Sequence, residues 1–171
     1  MSGAQISQEE ILNRIIKSYQ AYYNLNVLSP EKPFVAEASF HSHDDAFFLV
    51  HSAVIGESES NEFVFFASED KLDAKRLLSL DNLAWNNGTA RVKPHKHHRN
   101  TDITLIIVAD TVTDEARNKT KSLKHYKNYM FYLQGFSHYR LIVVDASNKE
   151  VIANRMGRGI SKTIKKSLSR I

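Results

Sequence analysis

The chain has 171 residues, 42% hydrophobic and 25% charged, with six glycines and three prolines, a composition and length suited to one folded domain (1–171) and too short for two. It has no cysteine, which excludes disulfides, thiolate metal ligands and cysteine nucleophiles. A formal charge of +4 and an isoelectric point near 9.2 permit an anionic partner without demanding one.

The opening "MSGAQISQEE" carries neither the basic nor the apolar stretch of a secretory signal. No apolar run nears the roughly 20 residues of a membrane-spanning helix, so a cytoplasmic chain with no membrane partner is expected. Ser7 and Glu10 form an S-x-x-E capping box, after which Ile11, Leu12, Ile15, Ile16, Tyr19, Tyr22 and Tyr23 recur at helical spacing. "NLNVLSPEKP" ends that first helix through its asparagines and prolines. Three strands are expected next, "FVAEASFH", "AFFLVHSAVI" and "NEFVFFAS", paired as an antiparallel meander with a turn at "SHDD".

Ser68 is placed to cap a second helix, with Glu69 and Asp70 in its first turn. Leu72, Leu77, Leu78, Leu80, Leu83 and Trp85 form its apolar face, and "NNG" at 86–88 reads as its C-terminal cap. The basic loop "VKPHKHHRN" follows, then "ITLIIVAD", whose lack of alternation suits a strand buried on both faces. Thr113 caps a polar helix that runs to about Lys124. "NYMFYLQ", "HYRLIVVD" and "EVIAN" read as strands, with turns at Gly135 and "DASNK". A last helix from about Gly159 aligns Ile160, Ile164, Leu168 and Ile171 on one side. The expected order is α-β-β-β-α-β-α-β-β-β-α, an α/β fold with a single mixed sheet flanked by helices.

Two segments carry a resemblance. "AFFLVHSAVIGESESNEFVFF", and the run from "DITLIIVAD" to "ANRMGRG", resemble an uncharacterised bacterial protein family of about this length. Its pattern is a strand ending in Asp or a similar polar residue, a helix, a "KHYK"-like basic-aromatic stretch, a Gly-aromatic turn, an Arg-Leu strand and an Asn-Arg/Lys-x-Gly element. The resemblance implies no activity. Separately, the order α-β-β-β-α-β resembles the core of the restriction-endonuclease-like fold, whose active members hold a metal with an acid on the second strand and E-x-K on the third. Here the nearest E-x-K, Glu69-Asp70-Lys71, falls beyond the third strand and into the expected helix. Nuclease activity does not follow from it.

Four groups of residues could carry chemistry. In the basic loop, His95 and His97 share a side if the chain is extended, and His95 and His98 if it turns helically. A metal site needs three or four ligands, so His41, His43, Asp44, Asp45 or His51 would have to complete it, and a solvated loop is the simpler reading. "HSHDD" at 41–45 could bind a divalent ion or move protons, but its residue types are also those of an ordinary turn. Tyr126, Tyr129, Phe131, Tyr132, Phe136 and Tyr139 interleave with basic residues, as in sheets that stack bases, although core packing is the commoner fate of such rings.

The fourth group is "RMGRGISKTIKK", which holds Arg155, Arg158, Lys162, Lys165 and Lys166 with no acid among them and lacks the spacing of a nucleotide-binding loop. Arg170 continues it. No G-x-S-x-G elbow occurs. The leading expectation is a non-catalytic binding domain for an anionic ligand, with nucleic acid as the candidate class. Its contacts would be His95, His97, His98, Arg99, Arg155, Arg158, Lys162, Lys165 and Lys166, and no catalytic, metal or cofactor residue is assigned. The alternative is a divergent metal-dependent hydrolase, which requires the histidine and aspartate loops to meet.

Overall fold

Local capping starts the fold where the sequence says it should. In the computed structural model, which describes residues 6–44 and 58–169, the Ser7 side chain accepts the Glu10 amide and opens α1 (Gln8–Tyr19). Thr113 likewise accepts the Ala116 amide and opens α3 (Asp114–Ser122). The other helices are α2 (Ala74–Ala90) and α4 (Arg158–Leu168). The strands are β1 (Asn24–Asn26), β2 (Ala36–Asp44), β3 (Ser58–Leu72), β4 (His98–Val112), β5 (Tyr126–Asn128), β6 (Phe136–Asp145) and β7 (Glu150–Ala153). The element order is the expected one.

One sheet holds all seven strands in the order β1-β2-β3-β4-β6-β5, with β7 also beside β6. The β1–β2 and β2–β3 pairs are antiparallel, the β3–β4 and β4–β6 pairs are parallel, and β5 and β7 both run antiparallel to β6. Alternation along the central strands sends odd and even positions to opposite faces. Phe63, Phe65, Leu105, Ile107, Leu141 and Val143 meet Leu77, Leu80 and Ala84 of α2 and Ala116 of α3. Val64, Phe66, Ile106, Val108, Ile142 and Val144 meet Ile11, Leu12 and Ile15 of α1 and Ile164 of α4. β4 is therefore covered on both sides, which is why its sequence reads as an unbroken apolar run.

Several boundaries depart from expectation. Ser68, Glu69 and Asp70 do not begin a helix; they continue β3, which runs to Leu72 opposite Val112 because β4 extends alongside it. Asp73 is the true cap, its carboxylate accepting the Arg76 amide at 2.7 Å. "NNG" does not end the helix either. Gly88 lies inside α2 against β4, where an added Cβ would sit 2.7 Å from the Ile103 side chain, so its role is close approach.

The expected meander is built from different pieces. β2 pairs directly with β3, from Ala36 opposite Phe66 to Asp44 opposite Ser58, so no strand stands between them, and β1 from the expected linker takes the outer place. All of "AFFLVHSAVI", which was to be the middle strand, lies outside the described residues. "NYMFYLQ" is mostly a turn rather than a strand: Asn128 ends β5, and the chain then turns with Met130, Phe131 and Tyr132 at φ of 49°, 50° and 71°. Among the described residues, no helix is long and apolar enough to cross a membrane.

Candidate anion and nucleic-acid interface

The entrance to α4 is fixed by one side chain. Asn154 is buried, and its Oδ1 accepts from the Leu141 amide at 3.0 Å and the Gly157 amide at 2.9 Å. Its Nδ2 donates to the carbonyls of Leu123 at 3.1 Å and Tyr139 at 3.2 Å. All four bonds an amide side chain can make are thus used to tie α4 to β6 and to the end of α3. Gly157 completes the anchor, since a Cβ there would lie 2.7 Å from the Leu141 carbonyl oxygen. With that geometry set, Ile160, Ile164 and Leu168 dock on the sheet while Arg155, Arg158, Lys162, Lys165 and Lys166 stay exposed.

The histidine loop is used differently at each ring. His98 is 4% exposed; its Nδ1 lies 2.6 Å from the Gln134 carbonyl and its Nε2 2.9 Å from Thr101 Oγ1, so both ring nitrogens are engaged and it is removed from the expected contacts. His95 Nε2 lies 2.8 Å from the Glu59 carboxylate, and its side chain is 40% exposed. The His97 amide donates to His95 Nδ1 at 3.3 Å. Arg99 is exposed, next to the register shift between β3 and β4.

The His95 ring stands 6.2 Å from that of His97 and 6.3 Å from that of His98, and no group of three His, Asp or Glu among the described residues could hold an ion. The loop does reach the same end of the sheet as the 41–44 end of β2, since the backbones of His43 and His98 both stand opposite Glu59, two strand spacings or about 10 Å apart. Of the further ligands, His41 bonds Asn61 at 2.7 Å. Asp45 and His51, and the side chains of His43 and Asp44, lie outside the described residues.

The aromatic stretch divides between core and surface. Tyr129 and Tyr139 are buried, as the commoner reading expects. Tyr126, Phe131 and Tyr132 are 47%, 92% and 61% exposed. Tyr126 stacks at 27° on Phe136 with centroids 6.2 Å apart and stands 5.3 Å from His138 and 6.4 Å from Tyr132. The turn that carries Phe131 and Tyr132 is closed by Tyr129 N–H to the Gly135 carbonyl at 2.9 Å and Gln134 N–H to the Tyr129 carbonyl at 3.2 Å. Gly135, at φ +80°, lets the chain pass where a Cβ would be 2.5 Å from the Arg99 carbonyl.

Sequence reasoning missed a charged cluster on the same sheet face. Arg140 donates to Glu62 at 3.2 Å and to Asp102, while Tyr23 Oη and Thr104 Oγ1 donate to Glu62 at 2.6 and 3.0 Å. Burial pushes the Asp102 carboxyl above its ordinary range, against the pull of Arg140. Burial, with the Glu62 carboxylate adding to it, raises the Tyr19 and Tyr23 phenols. The available signal was a charge near the start of three otherwise apolar strands, but only register aligns them: Glu62 opposite Asp102, and Thr104 opposite Arg140.

The arrangement defines a mixed α/β domain whose sheet is covered by two helices on each face and left open near one end on the α1 and α4 side. The chain belongs to the family described as a domain of unknown function, DUF8052, whose model matches residues 7–166. No curated protein and no solved structure matches it. The likeness in element order to the restriction-endonuclease-like fold gains nothing from the structure. Glu69-Asp70-Lys71 does lie on the third strand, correcting its expected place in a helix, but Glu69 is paired with Arg76 at 2.7 Å. It also lies beyond the last β2–β3 pair, Ala36 with Phe66, so no β2 acid stands opposite it.

Proposed function

We propose that this domain binds an anionic ligand, without catalysis of its own, through the cationic face of α4. One observation carries the reading. Arg14, Arg76, Arg91, Arg117 and Arg140 each form an ion pair with a carboxylate, whereas Arg99, Arg155 and Arg158 have none among the described residues. Lys162, Lys165 and Lys166 are likewise exposed and unpaired among the described residues. Cations whose charge is not cancelled internally are the ones left to meet phosphates or carboxylates from outside. The reading takes the chain to be cytoplasmic and bacterial, where nucleic acid is the abundant polyanion.

Salt tests it. Four phosphate contacts on a single strand give a slope of about −2.8 in log affinity against log salt, from about −0.7 per contact. Fluorescence anisotropy with a labelled oligonucleotide should show such a slope, and replacing Lys162, Lys165 and Lys166 by Gln should flatten it with the fold intact by circular dichroism. Absence of binding at low salt would end the reading.

The metal-dependent hydrolase is the second reading, favoured by the placement of the 41–44 and 95–98 segments at one end of the sheet. It requires stoichiometric zinc or manganese retained through dialysis and lost in a His41→Ala, His95→Ala double variant. Metal loss in the unsubstituted protein would dispose of it.

A further inference from the structure

We infer that the ligand is single-stranded nucleic acid, with its bases stacked on the strip formed by Tyr126, Tyr132 and Phe136, beside the exposed Phe131 of the adjoining turn, and its phosphates met by the unpaired cations. This rests on the anion-binding reading and names its substrate class.

The strip lies where that ligand needs it. β6 residues of even number face the α1 and α4 side, so Phe136 and His138 share a face with Ile142, against which α4 packs. Tyr126, opposite His138, contacts both rings from that side. Along β6, five residues separate Phe136, opposite Asn100 at the Arg99 end, from Leu141, which holds the α4 entrance through Asn154. That is about 16 Å of strand, so the two basic sets do not adjoin; the rings of Phe136 and Tyr126 begin at the Arg99 end of that stretch and reach His138. Sheets that bind single strands combine exposed rings, on which two or three bases stack, with cations that meet the backbone.

The exposed rings also cost the fold something that packing does not repay. Three successive non-glycine residues, Met130, Phe131 and Tyr132, hold left-handed backbone angles, a conformation that L side chains rarely adopt. The hydrogen bonds at Tyr129, Leu133, Gln134 and Gly135 keep the turn in that shape and present Phe131 outward. Strain of this kind collects at ligand-contacting segments.

Other occupants fit less well. A second copy joined edge to edge about the centre of β5 would place Lys127 opposite its own mate, and like charges directly across a strand pair repel. Duplex nucleic acid hides the base faces that the rings would stack on. Glu62 and Asp102 outnumber Arg140 in the middle of the open face, which steers phosphates away from β3 and β4 toward the β5 edge and α4.

The test compares a labelled dT oligomer of about twelve nucleotides, its abasic counterpart of equal length and charge, and vesicles of phosphatidylcholine with phosphatidylserine. The unsubstituted protein should bind dT about tenfold or more tightly than the abasic strand. The triple variant Tyr126→Ala, Phe131→Ala, Tyr132→Ala should bring dT down to the abasic affinity without changing the salt slope. Equal affinity for dT and abasic strands in the unsubstituted protein overturns the stacking inference and leaves anion binding standing. Failure to bind either strand overturns both. Vesicle binding lost on Phe131→Ala, with no preference for dT, assigns the turn to a bilayer surface and likewise overturns the inference.

Discussion

The two halves of one sheet face are made by the same strands and differ completely in chemistry. Under α1 and α4 the even positions are Val64, Phe66, Ile106, Val108, Ile142 and Val144, all buried. Two to four residues earlier on the same strands they become Glu62, Asp102 and Arg140, held by one another and by Tyr23. Alternation decides which residues share a face, and helix coverage decides whether that face is apolar. Glu62 and Asp102 are only 13% and 15% exposed, so the accessible groups of this half are the rings beside them at Tyr126 and Tyr132, and function is sought there and stability in the covered half.

The largest expected effect comes from attacking the covered half. Ile106→Ala, at a site with no exposure and no room for solvent, should cost about 2–5 kcal/mol, measured by urea unfolding. Phe131→Ala on the exposed turn should change stability by no more than about 0.5 kcal/mol, because its ring is outside the core. Comparable losses at the two positions would mean that the distinction between the halves is drawn wrongly.

A smaller effect separates them by pH. The Asp102 carboxyl is raised by burial, so its ionised form is the one the fold disfavours. Stability linked to this group is fully present below the carboxyl's unfolded value and is lost as pH rises through the folded value. Asp102→Asn, which keeps an acceptor for Arg140, should therefore gain melting temperature relative to the unsubstituted protein at neutral pH. The gain should shrink as pH falls below the ordinary carboxylate range. A variant that loses stability at pH 7, with the loss fading in acid, would show that the Arg140 attraction outweighs burial.

What the sequence determined alone was whatever depends on near neighbours. Ser7 with Glu10 and Thr113 with Ala116 cap helices across three residues, and the Ile160–Ile164–Leu168 spacing predicts the docking side of α4. The apolar run of β4 likewise told of a strand covered on both faces. Tertiary structure decided what depends on partners far along the chain. Ser68 lost to Asp73 as a cap because pairing with β4 carries β3 four residues further, and Gly88 serves a contact with Ile103 that no local rule encodes. The order of elements came out as expected although its strands were partly other segments, since the count of strands follows from apolar runs and breaks while their membership follows from hydrogen-bond partners. The candidate site divides the same way. The basic residues of α4 were legible because helical spacing separates them from the apolar side, whereas the Glu62, Asp102 and Arg140 cluster and the strip beside it exist only through register, which the spacing along one strand does not specify.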